Sequence, residues 1–261
     1  MIEVFNSGGG TQSTAIAALI VQDRLPKPDF VVIADTGRER QSTWDYLEQI
    51  TKPMLRKIGI DVHVISKAKY GYNHGDLWSK NGNTLLMPTF TDFSGEIGKM
   101  DGFCSKTWKV EPVENYLRDE CGVKKKDIRK WIGFSVDEAR RAMRMMGTKD
   151  YVAGKIRFPL IDDVPMRRHQ SLAVVQEMGW PQPPRSMCWM CPNQTNDEWK
   201  HLKETSPMEF QKACELEQEI REKDPTVFLH NSGVLLGDVD FEAQPYLPGM
   251  DHACSSGVCF V

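Results

Sequence analysis

The first 66 residues alternate strand-like and helix-like segments, and this alternation limits the folds open to the chain more than any other feature. Short apolar runs lie at residues 2–5, 30–34 and 61–66, and helical patterns occupy 11–24 and 41–58 between them. Continuous apolar runs of strand length are typical of parallel strands that are buried on both faces. The order strand, helix, strand, helix, strand therefore predicts an α/β fold with a doubly wound, mainly parallel sheet.

The rest of the chain predicts one more strand and several helices around an irregular middle. Residues 68–102 are rich in Gly, Asn, Ser and Thr, so we expect a long loop or insertion there. The further strand is expected at 131–135. The helices are expected at 109–120, 166–178, 196–204 and 207–223. We therefore expect an α/β domain over residues 1–160 and a helical, cysteine-bearing C-terminal region over 161–261.

The charge balance and the distribution of apolar residues exclude some classes of protein. The chain has 33 Lys and Arg against 36 Asp and Glu, and this net charge of -3 excludes a uniformly basic nucleic-acid binder while allowing a local basic patch. No segment approaches the ~20 apolar residues of a membrane span. The first residues also lack the basic and apolar regions of a signal peptide. We therefore expect a cytoplasmic protein with no membrane partner.

A glycine-rich turn follows the first strand and precedes the first helix. Glycines let the backbone approach an anion closely, and a helix N-terminus directs free N–H groups and its positive dipole end to the same place. The turn therefore predicts a phosphate cradle, whereas the alternative is a tight turn with a Ser or Thr cap. It is neither a Walker A loop nor a dinucleotide fingerprint. The expected cofactor-binding residues are Ser7, Gly8, Gly9, Gly10, Thr11, Gln12, Ser13 and Thr14.

The second strand ends at Asp35 and Thr36, which we add to the expected nucleotide site. In open α/β sheets a ligand binds outside the carboxyl ends of neighbouring strands, and both the glycine turn and Asp35 follow such ends. The alternative for Asp35 is a solvated carboxylate at a strand end. Arginines such as Arg140 and Arg141 could bind phosphates through two parallel hydrogen bonds.

These motifs resemble the PP-loop of N-type ATP pyrophosphatases and the phosphoadenosine phosphosulfate (PAPS) reductase family. Residues 34–39 resemble its Asp-Thr-Gly-x-Glu segment, and residues 102–112, 132–141 and 158–160 resemble its later motifs in the same order. The resemblance implies an adenine nucleotide alpha hydrolase-like fold that binds ATP with Mg²⁺. It also implies catalytic roles for Asp35, Lys109, Arg140 and Arg141. Many such enzymes have Asp where this chain has Gln12, so metal contact at this position is not implied.

Cysteines are the second informative feature, because seven is an odd count for a reducing compartment and favours metal or redox chemistry over disulfides. Cys188 and Cys191 form a C-x2-C pair that could bind zinc, hold an iron–sulfur cluster or act as a redox dithiol. Cys104 is the expected third ligand. The fourth is expected to be Cys259, with Cys254 as the alternative. Cys121 and Cys214 fall in helical patterns and are expected to be structural.

The segment around the C-x2-C pair resembles a PAPS-reductase-like subfamily that is common in phages and mobile elements. The three separated cysteines resemble those of the [4Fe-4S]-dependent ATP pyrophosphatases that insert sulfur into tRNA or DNA. That resemblance implies a [4Fe-4S] cluster, with zinc as the alternative. It also implies a location in the host cytoplasm if the gene belongs to a phage.

Three functions remain open from the sequence. The first is an iron–sulfur-dependent ATP pyrophosphatase that adenylates an acceptor and supports sulfur transfer, with tRNA or DNA as acceptor and a homodimer as a candidate assembly. The second is a sulfonucleotide reductase whose nucleophile is Cys254 or Cys259, although the Glu-Cys-Gly-x-x-His tail of authentic reductases is absent. The third is a non-catalytic, zinc-stabilised nucleotide-binding module.

Overall fold

A computed structural model of the chain describes residues 1–71 and 77–242. Within this part, β1 lies between β2 and β6 in a five-stranded sheet whose order is β3-β2-β1-β6-β7, and all of its paired neighbours are parallel. A second sheet is antiparallel, with the order β5-β4-β8. The strands are β1 (Ile2–Asn6), β2 (Phe30–Asp35), β3 (Val62–Ser66), β4 (Thr89–Phe93), β5 (Glu96–Met100), β6 (Ile128–Ile132), β7 (Ile156–Arg157) and β8 (Val227–Phe228).

Helices cover both faces of the parallel sheet. Successive side chains of a strand point to opposite faces, and in β1 the side chain of Phe5 joins one apolar cluster while that of Val4 joins the other. The predicted doubly wound α/β fold is therefore confirmed. The helices are α1 (Thr11–Val21), α2 (Gln41–Tyr46), α3 (Lys52–Arg56), α4 (Lys67–Tyr70), α5 (Glu111–Asp119), α6 (Ala139–Met146), α7 (Lys149–Val152), α8 (Arg168–Glu177), α9 (Asn196–Thr205) and α10 (Pro207–Lys223).

Several short turns of other helical types connect these elements. A π-helical turn at Leu47–Thr51 joins α2 to α3, and another at Ser105–Val110 leads into α5. Pro53 therefore falls in the first turn of α3, a position where proline needs no N–H partner. A third π-helical turn covers Pro159–Asp163, and 3₁₀ turns cover Lys125–Asp127, Val136–Glu138 and Leu236–Asp238.

The direction of strand succession reverses at β1. Strands β2 and β3 follow on one side of it, whereas β6 and β7 lie on the other. Parallel pairing, with Val4 opposite Phe30 and Ile2 opposite Ile128, brings the carboxyl ends of β1, β2 and β6 to one edge of the sheet. Such a reversal opens a crevice between the loops that follow the central strands, where open α/β sheets bind ligands.

Helix α1 is buried on almost every side. Its buried residues include the run Ala15–Ile20, and it packs against α8 as well as against the sheet. Small alanine side chains allow close approach on several faces at once, which explains why this segment is apolar all round rather than along one stripe. Burying a residue such as Leu19 removes apolar surface worth about 2 kcal/mol.

The chain folds into two compact units. The first contains Met1–Gly71 and Trp108–Ser186, and the second contains the described parts of Tyr72–Thr107 and Met187–Val261. These two units do not coincide with the predicted division after residue 160. Helix α8 lies beyond that residue but packs on α1 within the first unit. A division into two domains at that residue stays a prediction.

The antiparallel sheet belongs to the second unit and corrects the expectation of a loop over residues 68–102. Strands β4 and β5 form a hairpin in that region. At its turn Ser94 and Gly95 have φ of 59° and 93°, the left-handed conformations that two-residue hairpin turns require. Strand β8 adds to the hairpin from 127 residues beyond Met100, a pairing that local patterns cannot reveal.

Other boundaries moved by a few residues. The strand predicted at 131–135 is β6, which begins and ends three residues earlier, because it pairs along its whole length with β1. The two-residue strand β7 was not predicted. Among residues 1–71 and 77–242, no helix combines the length and apolar character that crossing a bilayer requires.

Candidate functional site

The glycine turn lies where β1 ends at the switch point of the sheet. Its backbone is fixed from both sides, since Ser7 N donates to Val32 O at 2.8 Å and Thr14 N donates to Gly10 O at 2.9 Å. Gly9 has a φ of +73°, a conformation that side chains with a Cβ rarely adopt. A Cβ at Gly9 would also lie 2.6 Å from Thr43 Cγ2. The turn therefore requires glycine both for conformation and for space.

Helix α1 begins immediately after this turn without a side-chain cap. Gly10 occupies the N-cap position, and the first turn of the helix contains no acidic residue. The first N–H groups of a helix have no partner within it, so an uncapped N-terminus is suited to an anion. Gly133, which follows β6, lies against this same turn, since a Cβ there would be 3.7 Å from Ser13 N. This backbone geometry suits an anion, and a phosphate cradle at the turn stays a prediction.

The predicted hydroxyl donors mainly build the turn. Ser13 Oγ accepts from Gly8 N at 2.8 Å, and Ser7 Oγ accepts from Gly9 N at 3.2 Å. Each hydroxyl that accepts a bond still has its own proton to donate. Thr14 Oγ1 instead donates to Gly10 O at 3.0 Å, and Thr11 is buried. Ser7 and Ser13 are therefore better placed than Thr14 to donate to a ligand.

Gln12 is held by Glu138, a carboxylate that the sequence analysis did not assign to the site. Its Nε2 donates to Glu138 Oε2 at 3.0 Å, and Ser135 N donates to the same oxygen at 3.3 Å. The other oxygen of Glu138 pairs with Arg141. A neutral amide and an ion-paired carboxylate therefore lie on this side of the glycine turn.

The structure separates the two predicted arginines. Arg141 is largely buried, with its guanidinium carbon 4.5 Å from the ring centre of Phe134. Its Nε and Nη2 atoms are buried and lack a hydrogen-bond partner among the described residues. Arg140, by contrast, is exposed. Arg141 therefore belongs to the group around Glu138, whereas Arg140 has no contact of this kind in the described part of the chain.

The loop after β2 carries the predicted Asp35 and Thr36. Asp35 Oδ1 accepts from Gly37 N at 2.7 Å, and Thr36 Oγ1 accepts from Arg38 N at 3.2 Å. These local bonds shape the loop, so one oxygen of Asp35 is already engaged. Asp35 as a whole residue is half-buried, and it lies at the same edge of the sheet as the glycine turn.

Three charged residues follow in this loop, and all are buried: Arg38, Glu39 and Arg40. Lys109 Nζ lies 3.9 Å from Glu39 Oε2, and Ser186 Oγ donates to Glu39 Oε1 at 2.8 Å. Ser186 in turn packs on the glycine turn, since a Cβ at Gly10 would lie 3.2 Å from its Cβ. The predicted Lys109 is therefore joined to the cradle through Glu39 and Ser186, which the sequence did not assign to the site.

Cations also lie over the indole ring of Trp108. Lys67 Nζ is 4.3 Å from the ring centre, and Arg38 Cζ is 5.9 Å from it. Lys67 begins α4 directly after β3, so both cations come from the carboxyl ends of strands. The acidic total charge of the chain thus coexists with a local basic group at this edge of the sheet, as the sequence allowed.

The C-x2-C pair forms a turn in the second unit. Cys191 N donates to Cys188 O at 3.0 Å, and the amide of Gln194 donates to Trp189 O at 3.1 Å and to Cys191 O at 3.2 Å. Helix α9 follows at Asn196, with Thr195 as its cap. The turn therefore holds two half-buried thiols on a short, braced segment.

Cys104 is half-buried and belongs to the same compact unit as Cys188 and Cys191. Three thiols are a suitable donor set for an iron–sulfur cluster. In the described part of the chain, however, no three His, Cys, Asp or Glu side chains gather as a metal site. The turn fits the two-sulfur part of such a site, and closure around a third ligand stays a prediction.

The other cysteines differ in their surroundings. Burial raises the pKa of the Cys214 thiol to about 11, which disfavours the thiolate that metal binding requires. Cys121 is half-buried and packs against the apolar side chains, Val4 among them, that cover one face of the parallel sheet. The predicted fourth ligand, Cys259 or Cys254, lies outside the described residues.

Comparison with known proteins gives distant likenesses. No family profile matches the chain. The uncharacterized nin region protein ORF290 of Escherichia phage lambda is 26% identical over 151 residues, covering 54% of this chain and 50% of that protein. The chain thus spans about half the length of this curated relative. A solved structure, the U34-tRNA thiolase NcsA from Methanococcus maripaludis with its [4Fe-4S] cluster, is 14% identical with a TM-score of 0.45, covering 92% of this chain and 73% of that one.

The sequence did not reveal the residues that link the predicted site residues to one another. Glu39 and Glu138 stood inside recognised motifs, but nothing in their spacing showed which cations they would meet. Ser186 contacts a loop 147 positions earlier in the chain. Such pairings depend on the fold, and only their residue types were readable in advance.

Proposed function

We propose that this protein is an ATP pyrophosphatase that adenylates an acceptor. The uncapped N-terminus of α1 at the switch point of the sheet carries the proposal. Gly8–Gly10 lead into it, and two ion-paired cations connect to it through neighbouring side chains: Lys109 through Glu39 and Ser186, and Arg141 through Glu138 and Gln12. These groups favour charge stabilisation over covalent catalysis.

In the proposed reaction, an oxygen of the acceptor attacks the α-phosphorus of ATP. The bond from that phosphorus to the bridging oxygen breaks, and pyrophosphate leaves with its electron pair. The backbone N–H groups of the first turn of α1 would hold the departing phosphates, and Lys109 and Arg141 would offset their growing charge. Mg²⁺, when bound to the phosphates, supplies further charge neutralisation.

The product distribution tests this proposal. The purified protein is incubated with ATP, Mg²⁺ and either tRNA or DNA, and the released phosphates are separated. We expect AMP-linked acceptor and pyrophosphate. Release of ADP and inorganic phosphate would reject the pyrophosphatase, whereas ATP binding without turnover on any acceptor would favour a binding module.

We further propose that the acceptor is a nucleic acid and that sulfur displaces AMP at the adenylated position, where a carbon–sulfur bond forms as the bond to the adenylated oxygen breaks and AMP leaves. This proposal of sulfur transfer is supported by three half-buried thiols in one compact unit, those of Cys104, Cys188 and Cys191. These three would hold a [4Fe-4S] cluster, which supplies bound sulfur when present. The half-buried Lys67, which lies over Trp108 at this edge of the sheet, supports a polyanionic acceptor.

Metal analysis of anaerobically purified protein tests the cluster. We expect about four irons and four sulfides per chain, and loss of both in the variants Cys104→Ser, Cys188→Ser and Cys191→Ser. The matched control is Cys214→Ser, whose thiol is buried with a raised pKa. Stoichiometric zinc in colourless protein would exclude the cluster and favour the zinc-stabilised alternative.

A further inference from the structure

Glu39 is a charged residue in an unusual place, because its side chain is only 4% exposed. Burying a carboxylate is costly unless hydrogen bonds and opposite charges compensate for the lost water. Two such partners come from distant segments: Ser186 Oγ donates to Oε1 at 2.8 Å, and Lys109 Nζ lies 3.9 Å from Oε2. One carboxylate therefore joins the loop after β2 to two other parts of the first unit.

Ser186, one of these partners of Glu39, lies beside the glycine turn. A Cβ at Gly10 would be 3.2 Å from Ser186 Cβ and 3.3 Å from Ser186 N, so this residue packs directly on the N-cap of α1. The segment before Ser186 is anchored independently, since Tyr46 Oη donates to Pro181 O at 2.8 Å. The position of Ser186 on the turn is thus set from two sides.

We propose that Glu39 is the positioning residue for polyphosphate binding. Glu39 would not touch the nucleotide, because its negative carboxylate and the negative phosphates repel each other. It would instead hold the Lys109 ammonium and the Ser186 hydroxyl against the glycine turn. This rests on the proposed function and extends it by naming the β- and γ-phosphates as the part of the nucleotide that depends on Glu39. Nucleoside monophosphates lack these groups and should bind independently of it.

The test compares Glu39→Gln with Glu48→Gln. The amide of the first variant can still accept from Ser186 but loses the charge that attracts Lys109. Glu48 is an exposed partner of Lys52 on the helical turn after α2, so its variant removes the same charge away from the site. Dissociation constants for ATP and AMP, KM and kcat for pyrophosphate release, and Tm are measured for both.

For Glu39→Gln we expect the ATP dissociation constant and KM to rise about tenfold, a loss typical of one charge-assisted contact. The AMP dissociation constant should change less than about twofold, whereas kcat should fall about tenfold, because a displaced Lys109 offsets less of the charge that grows on the departing phosphates. Glu48→Gln should match the wild type. Equal losses for ATP and AMP, or no loss for either, would overturn the proposal.

A second pair of variants keeps the test valid if Glu39→Gln does not fold. Ser186→Ala removes the hydroxyl and should weaken ATP binding selectively, whereas Ser186→Thr keeps the hydroxyl and should restore it. Failure of Ser186→Thr to bind ATP better than Ser186→Ala would count against the proposal. If the wild type binds ATP but releases no pyrophosphate, only the proposed activity fails; if it releases pyrophosphate and Glu39→Gln behaves as Glu48→Gln, only this inference fails.

Discussion

At the scale of single residues, two carboxylates organise the cations around the glycine turn. Glu138 holds Gln12 and Arg141 on one side, and Glu39 holds Ser186 and Lys109 on the other. The glycines, Asp35 and the cations were named from local motifs in which their chemistry is visible, and their roles in a nucleotide site stay predictions. The two carboxylates could not be named in this way, since their importance arises from partners far away in the chain.

Gly9→Ala should damage the cradle more than other glycine substitutions. The new Cβ would be forced into a φ of +73° and would lie 2.6 Å from Thr43 Cγ2. Strain of each kind costs about 1–3 kcal/mol, so we expect a lower free energy of unfolding and weaker ATP binding. Gly59→Ala is the control, because Gly59 has a similar φ of +80° but open space around it.

A rescue variant separates the two costs. Thr43→Ser removes the methyl group that a Cβ at Gly9 would meet, so Gly9→Ala/Thr43→Ser should recover part of the lost stability in chemical denaturation. If Gly9→Ala costs no more than Gly59→Ala, the close packing of the turn on Thr43 is not important.

Substitution of Arg141 should lower the activity far more than substitution of its neighbour Arg140. Arg141→Ala leaves the Glu138 carboxylate without its cation and removes the contact with Phe134. We expect kcat/KM for pyrophosphate release to fall about a hundredfold, in the range of a lost electrostatic contact in an active site. Arg140→Ala, at an exposed position, should stay within about threefold of the wild type. Similar losses in the two variants would argue for a role of general surface charge.

At the scale of elements, the parallel strands and long helices were predictable because their apolar patterns are local and continuous. The prediction failed where pairing partners are distant. The hairpin β4–β5 was read as a loop because its polar, glycine-containing sequence resembles one, and its stability depends on β8. The predicted bounds of β6 were three residues too far along the chain, because the strand pairs along its whole length with β1 and local patterns do not show that pairing.

The turn that carries Cys188 and Cys191 should depend on Gln194. The Gln194 amide is buried and donates to two carbonyl groups of the turn. Gln194→Ala leaves these acceptors without that donor, so we expect a loss of about 1–2 kcal/mol in unfolding free energy and less metal retained per chain. Gln182→Ala, at an exposed position before the turn, is the control. Full metal content in Gln194→Ala would show that the turn needs no brace.

At the scale of the whole molecule, stability should respond to acid through buried groups of the second unit. In the second unit, His230 accepts from Ser232 N at its Nδ1, at 3.2 Å, and its Nε2 lies 3.0 Å from Asn196 Oδ1. This arrangement suits the neutral ring. Burial lowers the pKa of His230 from 6.5 to about 4. Glu217 acts in the opposite direction, because burial raises its pKa.

The sign of the His230 effect follows from proton uptake. Between pH 6.5 and about 4 the unfolded chain binds a proton at this position and the folded chain does not. The stabilisation that comes from the neutral His230 ring is therefore fully present above pH 6.5. This contribution to the free energy of unfolding should fall by about 3 kcal/mol as the pH approaches 4. Chemical denaturation of the wild type and of His230→Gln across this range isolates the contribution, since Glu217 and the other carboxylates are common to both. The difference in unfolding free energy between the two proteins should shrink steadily from pH 7 to pH 4; a constant difference would mean that His230 titrates alike in the folded and unfolded chain.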